Sequence, residues 1–257
     1  MDYFIICIVA FLGSALTLFS GFGLGTILVP VFAIFFPIEI AIALTAIVHF
    51  LTNIFKLTLL GKNANKSVIL RFGIPAMLSA FLGAYVLTLL TGMQPIFQYS
   101  ISSKLFYVMP VKLTIAILLS VFALFDILPK LTKLQFDKKY LPLGGLLSGF
   151  FGGLSGNQGA LRTAFLIRAN LTKEAFIATG VVIAVLIDIS RLTVYTKQIL
   201  SIGDNFNYPL IISATLSAFA GAFIGNRLLK KVTINAIQYI VATMLFIFAL
   251  LLGLGII

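Results

Sequence analysis

The two halves of this sequence repeat each other, and the repeat lies in a chain that is almost entirely apolar. At an offset of 134 residues Gly25 aligns with Gly159, and after a shift of four residues 79–85 aligns with 217–223, with five of seven residues identical. Further identities at the first offset pair Ala41 with Ala175, Thr45 with Thr179, Val48 with Val182 and Pro75 with Pro209. Secondary transporters are commonly built from such duplicated bundles, with the substrate bound where the repeats meet. The repeat therefore predicts a membrane transport protein.

The composition indicates that the whole chain is embedded in a membrane. Hydrophobic residues make up 61% of the sequence and charged residues 10%, whereas a soluble domain carries about 25% charged residues. No polar stretch is long enough to fold as a separate soluble domain, so we expect one integral unit in the cell (cytoplasmic) membrane. Cys7 is the only cysteine, which excludes an internal disulfide and a cysteine-based metal cluster.

Eight apolar segments each approach or exceed the roughly 20 residues that a helix needs to cross a bilayer. They cover residues 3–36, 38–60, 67–91, 105–128, 141–168, 172–196, 207–229 and 232–257. We therefore predict an all-α polytopic protein of two homologous four-helix repeats, 1–128 and 141–257, joined by a basic loop at 129–140. An even number of spans in each repeat gives both repeats the same orientation. If the glycine-rich segment instead forms a hairpin of two short helices, the number of spans becomes odd and the repeats are inverted.

Positive charge is concentrated in the connections between these segments. The net charge is +11, but lysine and arginine in short connections mark the cytoplasmic side of a membrane protein rather than a nucleic-acid partner. The second and central connections share a side and contain Lys62, Lys66, Arg71, Lys130, Lys133, Lys138 and Lys139. We expect that side to be cytoplasmic and to face anionic lipid. In an eight-span arrangement Arg227, Lys230 and Lys231 fall on the other side.

Glycines interrupt the first and fifth segments at corresponding places. The first contains Gly21-Phe22-Gly23-Leu24-Gly25, and the fifth contains a glycine-rich run over 149–159 that includes Asn157 and Gln158. Glycine permits non-helical backbone, and a helix that restarts within the membrane presents N–H groups with partial positive charge, which favours anions. We therefore predict that both segments are broken, the second at Ser155–Gly159, and that the breaks meet at a central cavity.

Two other segments rich in small residues have a different interpretation. Residues 79–84 and 217–222 each contain one glycine among alanines and a serine. Small residues at helical spacing allow close contact between membrane helices. For these two segments we favour tight helix packing over an opened helix.

A proline and an Ala-x-x-x-Thr element follow the first glycine-rich run, at Pro30 and Ala41–Thr45. The second half keeps Gly156, Gly159 and Ala175–Thr179. Over nearly the whole chain this pattern resembles the sulfite exporter TauE/SafE family. The resemblance implies a transporter of small anions, typically sulfite, organosulfonates or related sulfur compounds, that is driven by an ion gradient without ATP.

Ionisable side chains within the apolar segments are candidates for function. Such a group at membrane depth costs at least about 2.5–3.5 kcal/mol. Arg162 follows Gly159 by about one helical turn, and Asp188 and Arg191 lie three residues apart on one helix face, where they can pair. For Asp188 and Arg191 a structural ion pair and a functional role both remain open.

The only histidine lies on the second segment. His49 shares a helix face with Thr45, Asn53 and Lys56 at spacings of three to four residues. Lys56 lies near the end of its segment, where a lysine typically extends toward the membrane surface. We therefore expect Lys56 to be an interfacial residue and His49 to contribute to the site.

The predicted substrate site lies between the two repeats. Arg162 would supply positive charge, the helix starts would supply N–H donors, and the three amide side chains would orient a small anionic substrate. The residues assigned to substrate binding are Arg162, Asn157, Gln158, Gly159, Gly23, Gly25, Asn53 and His49. Asp188 and Arg191 are assigned to coupling or to a charge pair; the coupling ion is H⁺ or Na⁺, and Asp188 or His49 could carry a proton. We predict no cofactor and no bound metal.

Two alternatives to anion transport stay open. One is transport of a cationic or amino-acid substrate, which the excess of Arg and Lys over Asp and Glu within the spans disfavours. The other is a membrane protein without transport activity, such as an assembly factor. An enzyme is not expected, because one histidine and scattered carboxylates provide neither a metal-ligand cluster nor a nucleophile with its base.

Overall fold

The computed structural model describes residues 2–20, 23–132, 134–201, 203, 206–228 and 234–257. Within these residues the chain is almost entirely helical, as the apolar segments predict, apart from one two-stranded β-hairpin. The predicted break residues Gly21 and Phe22, and the basic residues Lys133, Lys230 and Lys231, lie outside the described part.

The first half and the start of the connecting loop contain seven helices and both strands in their described part. They are α1 (Asp2–Ser20), α2 (Leu24–Ala33), α3 (Ile38–Leu60), α4 (Lys66–Val68), α5 (Ile74–Thr91), β1 (Phe97–Ile101), β2 (Lys104–Val108), α6 (Pro110–Ile127) and α7 (Pro129–Thr132). A 3₁₀ turn, Gly61–Asn63, follows α3, and a π-helical turn, Ile69–Gly73, joins α4 to α5. Residues 66–91 therefore run as one helix.

The second half contains five helices in its described part. They are α8 (Leu141–Ser155), α9 (Gly159–Leu166), α10 (Lys173–Ser201), α11 (Tyr208–Leu228) and α12 (Ile234–Gly253). A 3₁₀ turn, Lys138–Tyr140, precedes α8.

Several of these helices have the length and apolar character of membrane spans. In the described part of the chain, four stretches are long and apolar enough to cross a bilayer: Ile38–Asn63, Lys66–Thr91, Lys173–Leu200 and Tyr208–Gly225. Shorter apolar helices cover Tyr3–Leu16, Leu24–Ala33, Pro110–Phe125 and Tyr239–Gly253. This pattern is that of a polytopic membrane protein.

The first glycine-rich segment folds into a helical hairpin rather than a single interrupted helix. A Cβ atom placed on Gly13 would come 3.2 Å from Leu24 Cδ1 and 3.6 Å from Ile27 Cγ2. In one continuous helix Gly13 and Ile27 would be about 21 Å apart. Helix α2 therefore turns back along α1, and the expectation that residues 3–36 form one span is wrong.

The second glycine-rich segment folds in the same way. A Cβ atom on Gly144, near the start of α8, would overlap the ring of Phe165 at the end of α9. Next to it, the N–H of Phe136, just before α8, donates to the carbonyl of Ala164 at 3.2 Å. The end of α9 thus returns to the beginning of α8. Of the two arrangements left open by the sequence, the structure adopts the hairpin.

Glycines allow two helix pairs to approach until their backbones touch. A Cβ atom on Gly83 of α5 would overlap the carbonyl oxygen of Phe150 in α8. A Cβ atom on Gly221 of α11 would likewise overlap the carbonyl oxygen of Phe11 in α1. The tight-packing interpretation of 79–84 and 217–222 is confirmed.

The two halves interdigitate. Helix α5 packs against α8, α11 packs against α1, α3 packs against α10, and α6 packs against α12, so each of these pairs joins one half to the other. A large apolar cluster that includes Ile115, Leu119 and Leu245 fills the space around α6 and α12. Each of the two helical hairpins therefore packs against a helix from the opposite half.

A β-hairpin precedes α6, where the sequence predicts the start of a helix at residue 105. Strands β1 and β2 pair antiparallel from Phe97 opposite Val108 to Ile101 opposite Lys104, and Ser102 and Ser103 form the turn with φ of 48° and 68°. The predicted helix boundary is wrong by five residues, because α6 begins at Pro110. A proline suits the first turn of a helix, where its missing N–H costs nothing.

Candidate functional site

The tips of the two helical hairpins meet inside the molecule. Helix α8 ends at Gly156, whose φ of 80° requires the left-handed conformation that glycine adopts without strain. A Cβ atom on Gly25 in the first hairpin would lie 3.1 Å from the carbonyl oxygen of Gly156. Gly23 is extended, and Asn157 and Gln158 are non-helical. In the described residues both helix breaks are present and the two tips meet; that they meet at a central cavity stays a prediction.

Two helices start at this junction. Helix α2 begins at Leu24 and α9 begins at Gly159, so the N-terminal ends of both point toward the place where the tips meet. The first N–H groups of a helix have no intrahelical partner and carry a partial positive charge. Gly159 is buried. The arrangement places two anion-favouring helix ends next to each other.

A buried cluster of polar side chains lies between α3 and α10. Asp188 Oδ1 accepts a hydrogen bond from Arg191 Nε at 2.8 Å, and Arg191 Nη2 lies 2.7 Å from the same oxygen. Asp188 Oδ2 lies 2.6 Å from His49 Nδ1 and accepts from Asn53 Nδ2 at 3.3 Å. Asp188 and Arg191 are 0% exposed. The predicted pair of Asp188 and Arg191 is present, and His49 extends it to the first half.

Arg191 also reaches the tip of the second hairpin. Its Nη1 would lie 2.9 Å from a Cβ atom on Gly156. Nη1 is buried and makes no hydrogen bond within the described residues. One side of the guanidinium is therefore bound to Asp188. The other side faces the junction of the tips, and its Nη1 has no hydrogen-bond acceptor within the described residues.

Two buried amides follow Gly156 in the chain. Asn157 is 3% exposed and Gln158 is 2% exposed. Within the described residues both polar atoms of the Asn157 amide, and Nε2 of Gln158, lack a hydrogen-bond partner. An unsatisfied buried polar group costs about 1–3 kcal/mol, so each of these atoms would be stabilised by a polar partner.

Arg162 and Lys56 form the third part of the site. Arg162 is half-buried on α9, and its Nη1 donates to Gln158 Oε1 at 3.4 Å. Lys56 on α3 is 6% exposed and is within electrostatic range of Arg162. The expectation that Lys56 extends to the membrane surface is wrong, since its side chain lies inside the protein. That Arg162 lines a polar cavity stays a prediction.

The structure therefore brings most of the predicted site residues together. Asn53, predicted to orient substrate, contacts Asp188 and His49, and its role toward substrate stays a prediction. Arg191, predicted as a coupling residue or charge partner, reaches the tip of the second hairpin at Gly156. Gly23 lies at the start of α2, where a Cβ atom would approach Thr26 Oγ1 to 3.7 Å.

Two further residues lie at this site without having been predicted there. The hydroxyl of buried Tyr195 donates to the carbonyl of Gly153, next to the second tip. Thr45 is 0% exposed, its Cγ2 lies 3.8 Å from a Cβ position on Gly25, and its hydroxyl has no partner within the described residues. Tyr195 follows Arg191 by one helical turn. Because residues at this spacing share a helix face, the sequence already indicates that Tyr195 lies near Arg191.

An apolar helical bundle with buried charges at its centre and broken helices around them defines a class, the membrane transport proteins. The family model for the sulfite exporter TauE/SafE matches residues 6–252, and the chain belongs to this family. The resemblance noted in the sequence is thereby confirmed, and the protein is an integral membrane transporter from a family of anion exporters. No curated protein and no solved structure matches the chain.

Proposed function

We propose that the protein is a secondary transporter of small sulfur-containing anions, such as sulfite or an organosulfonate, driven by an ion gradient. The observation that carries this proposal is the buried Nη1 of Arg191, which lacks a partner in the described residues and faces the junction of the hairpin tips. A buried guanidinium with unused donors is costly unless an anion completes its hydrogen bonds. A substrate anion is the natural occupant.

The groups around the junction suit a tetrahedral or pyramidal oxyanion. Arg191 provides a charged donor, Asn157 provides an amide without partners within the described residues, and the starts of α2 and α9 provide backbone N–H groups. Because these donors come from both hairpins, the anion would bridge the two halves. Asp188 holds the Arg191 guanidinium in place through Nε, which leaves Nη1 for the anion.

A proton on the Asp188 and His49 pair would couple anion binding to an ion gradient. The carboxylate of Asp188 and the substrate anion share one guanidinium, and the carboxylate repels the anion. A proton taken up by the His49–Asp188 pair adds a positive charge and favours the anion. We therefore propose H⁺ rather than Na⁺ as the coupling ion.

The topology that we propose treats both hairpins as re-entrant. Helices α2 and α9 contain 10 and 8 residues, about 15 and 12 Å, which is well short of the roughly 30 Å hydrocarbon core. Each half then crosses the membrane three times, through α3, the 66–91 helix and α6, and through α10, α11 and α12. An odd number of crossings inverts the second repeat relative to the first.

The distribution of basic residues supports this topology. In it the connections 61–65, 129–140, 167–172 and 229–233 all lie on one side, which we call the basic side. The basic residues in or next to them are Lys62, Lys66, Arg71, Lys130, Lys133, Lys138, Lys139, Arg168, Lys173, Arg227, Lys230 and Lys231. Contacts agree, since Arg168 pairs with Asp137 at 3.4 Å. By the positive-inside rule this side is cytoplasmic.

The packing of helices supports two homologous repeats, 1–128 and 141–257, with 129–140 as the joint. Corresponding helices pack against each other in two cases, α3 with α10 and α6 with α12. The other two contacts exchange partners, since α5 packs on α8 while α11 packs on α1. A two-fold axis through the α3–α10 contact would produce this pattern.

Transport by reconstituted protein tests the proposal. Purified protein in liposomes should take up radiolabelled sulfite faster when a pH gradient is imposed, and Arg191→Gln should reduce this uptake about tenfold or more. Arg168→Gln is the matched control, because it removes an exposed arginine on the basic side. Normal sulfite and sulfonate transport by the Arg191→Gln protein would contradict the proposed site.

A further inference from the structure

Two cations of the site have no acidic partner of their own. Among the described residues, Asp188 is the carboxylate of the buried cluster, and its two oxygens are occupied by Arg191 and His49. No ion pair involves Lys56 or Arg162 in the described part of the chain, and the Arg162 hydrogen bond goes to the neutral amide of Gln158. Lys56 and Arg162 repel each other electrostatically.

Arg162 lies close to the second tip, and Lys56 lies on the face of α3 that carries His49. Side chains on a helix lean toward its N-terminus. Helix α9 starts at the junction, so Arg162 leans toward it, as its contact with Gln158 shows. Lys56 leans along α3 toward His49. The two cations thus lie between the junction and the basic side, with Arg162 about one helical turn from the second tip.

We propose that Lys56 and Arg162 form a second anion subsite next to Arg191, so that the transported substrate is a dianion. This inference rests on the proposed function and specifies the charge of its substrate. With Asp188 balancing Arg191 and His49 neutral, the excess charge of the described cluster is that of Lys56 and Arg162, and two negative charges neutralise it. The coupling proton on the His49–Asp188 pair adds to this excess and favours the dianion further. A monovalent anion would leave one of the two cations unpaired, which is unfavourable at membrane depth.

Two pairs of probe anions test this with the purified full-length protein in detergent. Sulfate and methanesulfonate share a tetrahedral sulfur centre, but sulfate carries two negative charges and methanesulfonate carries one. Ethane-1,2-disulfonate and ethanesulfonate differ in the same way, with the two charges on separate groups. Dissociation constants are measured by isothermal titration for the wild type, Lys56→Gln, Lys56→Met, Arg162→Gln and the control Lys62→Gln, which removes an exposed lysine just beyond α3.

The wild type should bind at least one dianion about tenfold more tightly than its monovalent partner. Tighter binding of sulfate than of methanesulfonate would show that the site takes both charges on one group of the substrate. Tighter binding of ethane-1,2-disulfonate than of ethanesulfonate would show that it takes them on two separate groups. Lys56→Gln, Lys56→Met and Arg162→Gln should each lose this preference while changing monovalent affinity less than threefold. Lys62→Gln should behave as the wild type.

Two results would overturn the dianion proposal alone. They are equal affinity of the wild type for both members of each pair, and a preference that survives in all the Lys56 and Arg162 variants. Failure of the proposed function looks different, because the wild type would then bind none of the four anions, or Arg191→Gln would bind them all unchanged. Thermal unfolding in the absence of anion confirms that each variant is folded.

Discussion

The guanidinium of Arg191 lies against Gly156, with Nη1 only 2.9 Å from the position that a Cβ atom would occupy. This contact joins the ion cluster of α3 and α10 to the tip of the second hairpin. Gly156 meets two separate requirements, since its φ is 80° and its missing side chain makes room for the guanidinium. The two requirements can be separated by mutation.

Gly156→Ala should abolish anion binding and lower stability. The left-handed conformation costs a non-glycine residue about 1–2 kcal/mol, and the added methyl group would displace Arg191. Gly203→Ala is the matched control, because Gly203 has φ of 56° and no atom of the described residues lies within 4 Å of its Cβ position. Thermal unfolding and anion titration of both variants give the comparison. Equal loss of binding in the two variants would show that backbone strain alone matters.

Gly83→Ala and Gly221→Ala should each destabilise the folded protein by separating a helix pair. Their Cβ atoms would overlap carbonyl oxygens of Phe150 and Phe11, and overpacking of this kind costs about 1–3 kcal/mol. Gly92→Ala is a suitable control, since its Cβ atom would meet only Leu89 O at an ordinary 3.7 Å. Melting temperatures in one detergent are the measurement. If Gly92→Ala were as destabilised as the other two, the close contacts would not be the cause.

Asp188→Asn should make the protein depend on bound anion for stability. The change keeps the shape of the side chain but leaves Arg191 buried without its counter-charge, which costs about 3–5 kcal/mol. Sulfate or sulfite should offset part of this loss, so the rise in melting temperature on adding anion should exceed that of the wild type. Asn157→Ala serves as the control, because it removes a ligand group without removing charge. An anion-induced rise no larger than that of the wild type would contradict the shared use of Arg191.

The re-entrant topology predicts which residues share a side of the membrane. In a variant with Cys7→Ser, single cysteines at Lys139 and Glu174 should both react with a membrane-impermeant maleimide from the cytoplasm. A cysteine at Ser102 in the β-hairpin should react only from outside. If the second hairpin were instead a continuous span, Lys139→Cys and Glu174→Cys would be labelled from opposite sides. Labelling in intact cells and in inverted vesicles distinguishes these results.

The positions of the helix breaks could be predicted from sequence, but the direction of the chain after each break could not. Glycine density around Gly156 shows that a helix ends there, since no intact helix tolerates it well. Whether α9 continues outward or folds back depends on its contact with Gly144 and Phe165, which is long-range packing. For this reason the sequence alone leaves the number of spans open.

The ion cluster was predictable in part. The spacing of Asp188 and Arg191 predicts their pairing, because residues three apart on a helix are neighbours. The contact of Asp188 with His49, 139 positions away in the chain, follows only from the packing of α3 on α10. The β-hairpin was missed because Ser102 and Ser103 replace the Asn-Gly or Asp-Gly pair that usually marks a two-residue turn.

The backbone contact between Gly83 and Phe150 constrains how the protein can move during alternating access. A helix pair in such close contact moves as one rigid body, so we expect the second hairpin to travel with α5 from the first half. By the same argument, the contact between Gly221 and Phe11 ties the first hairpin to α11. The moving bodies therefore do not coincide with the two sequence repeats. Each body combines a hairpin from one repeat with a helix from the other, and the boundary between the bodies passes through the proposed anion site.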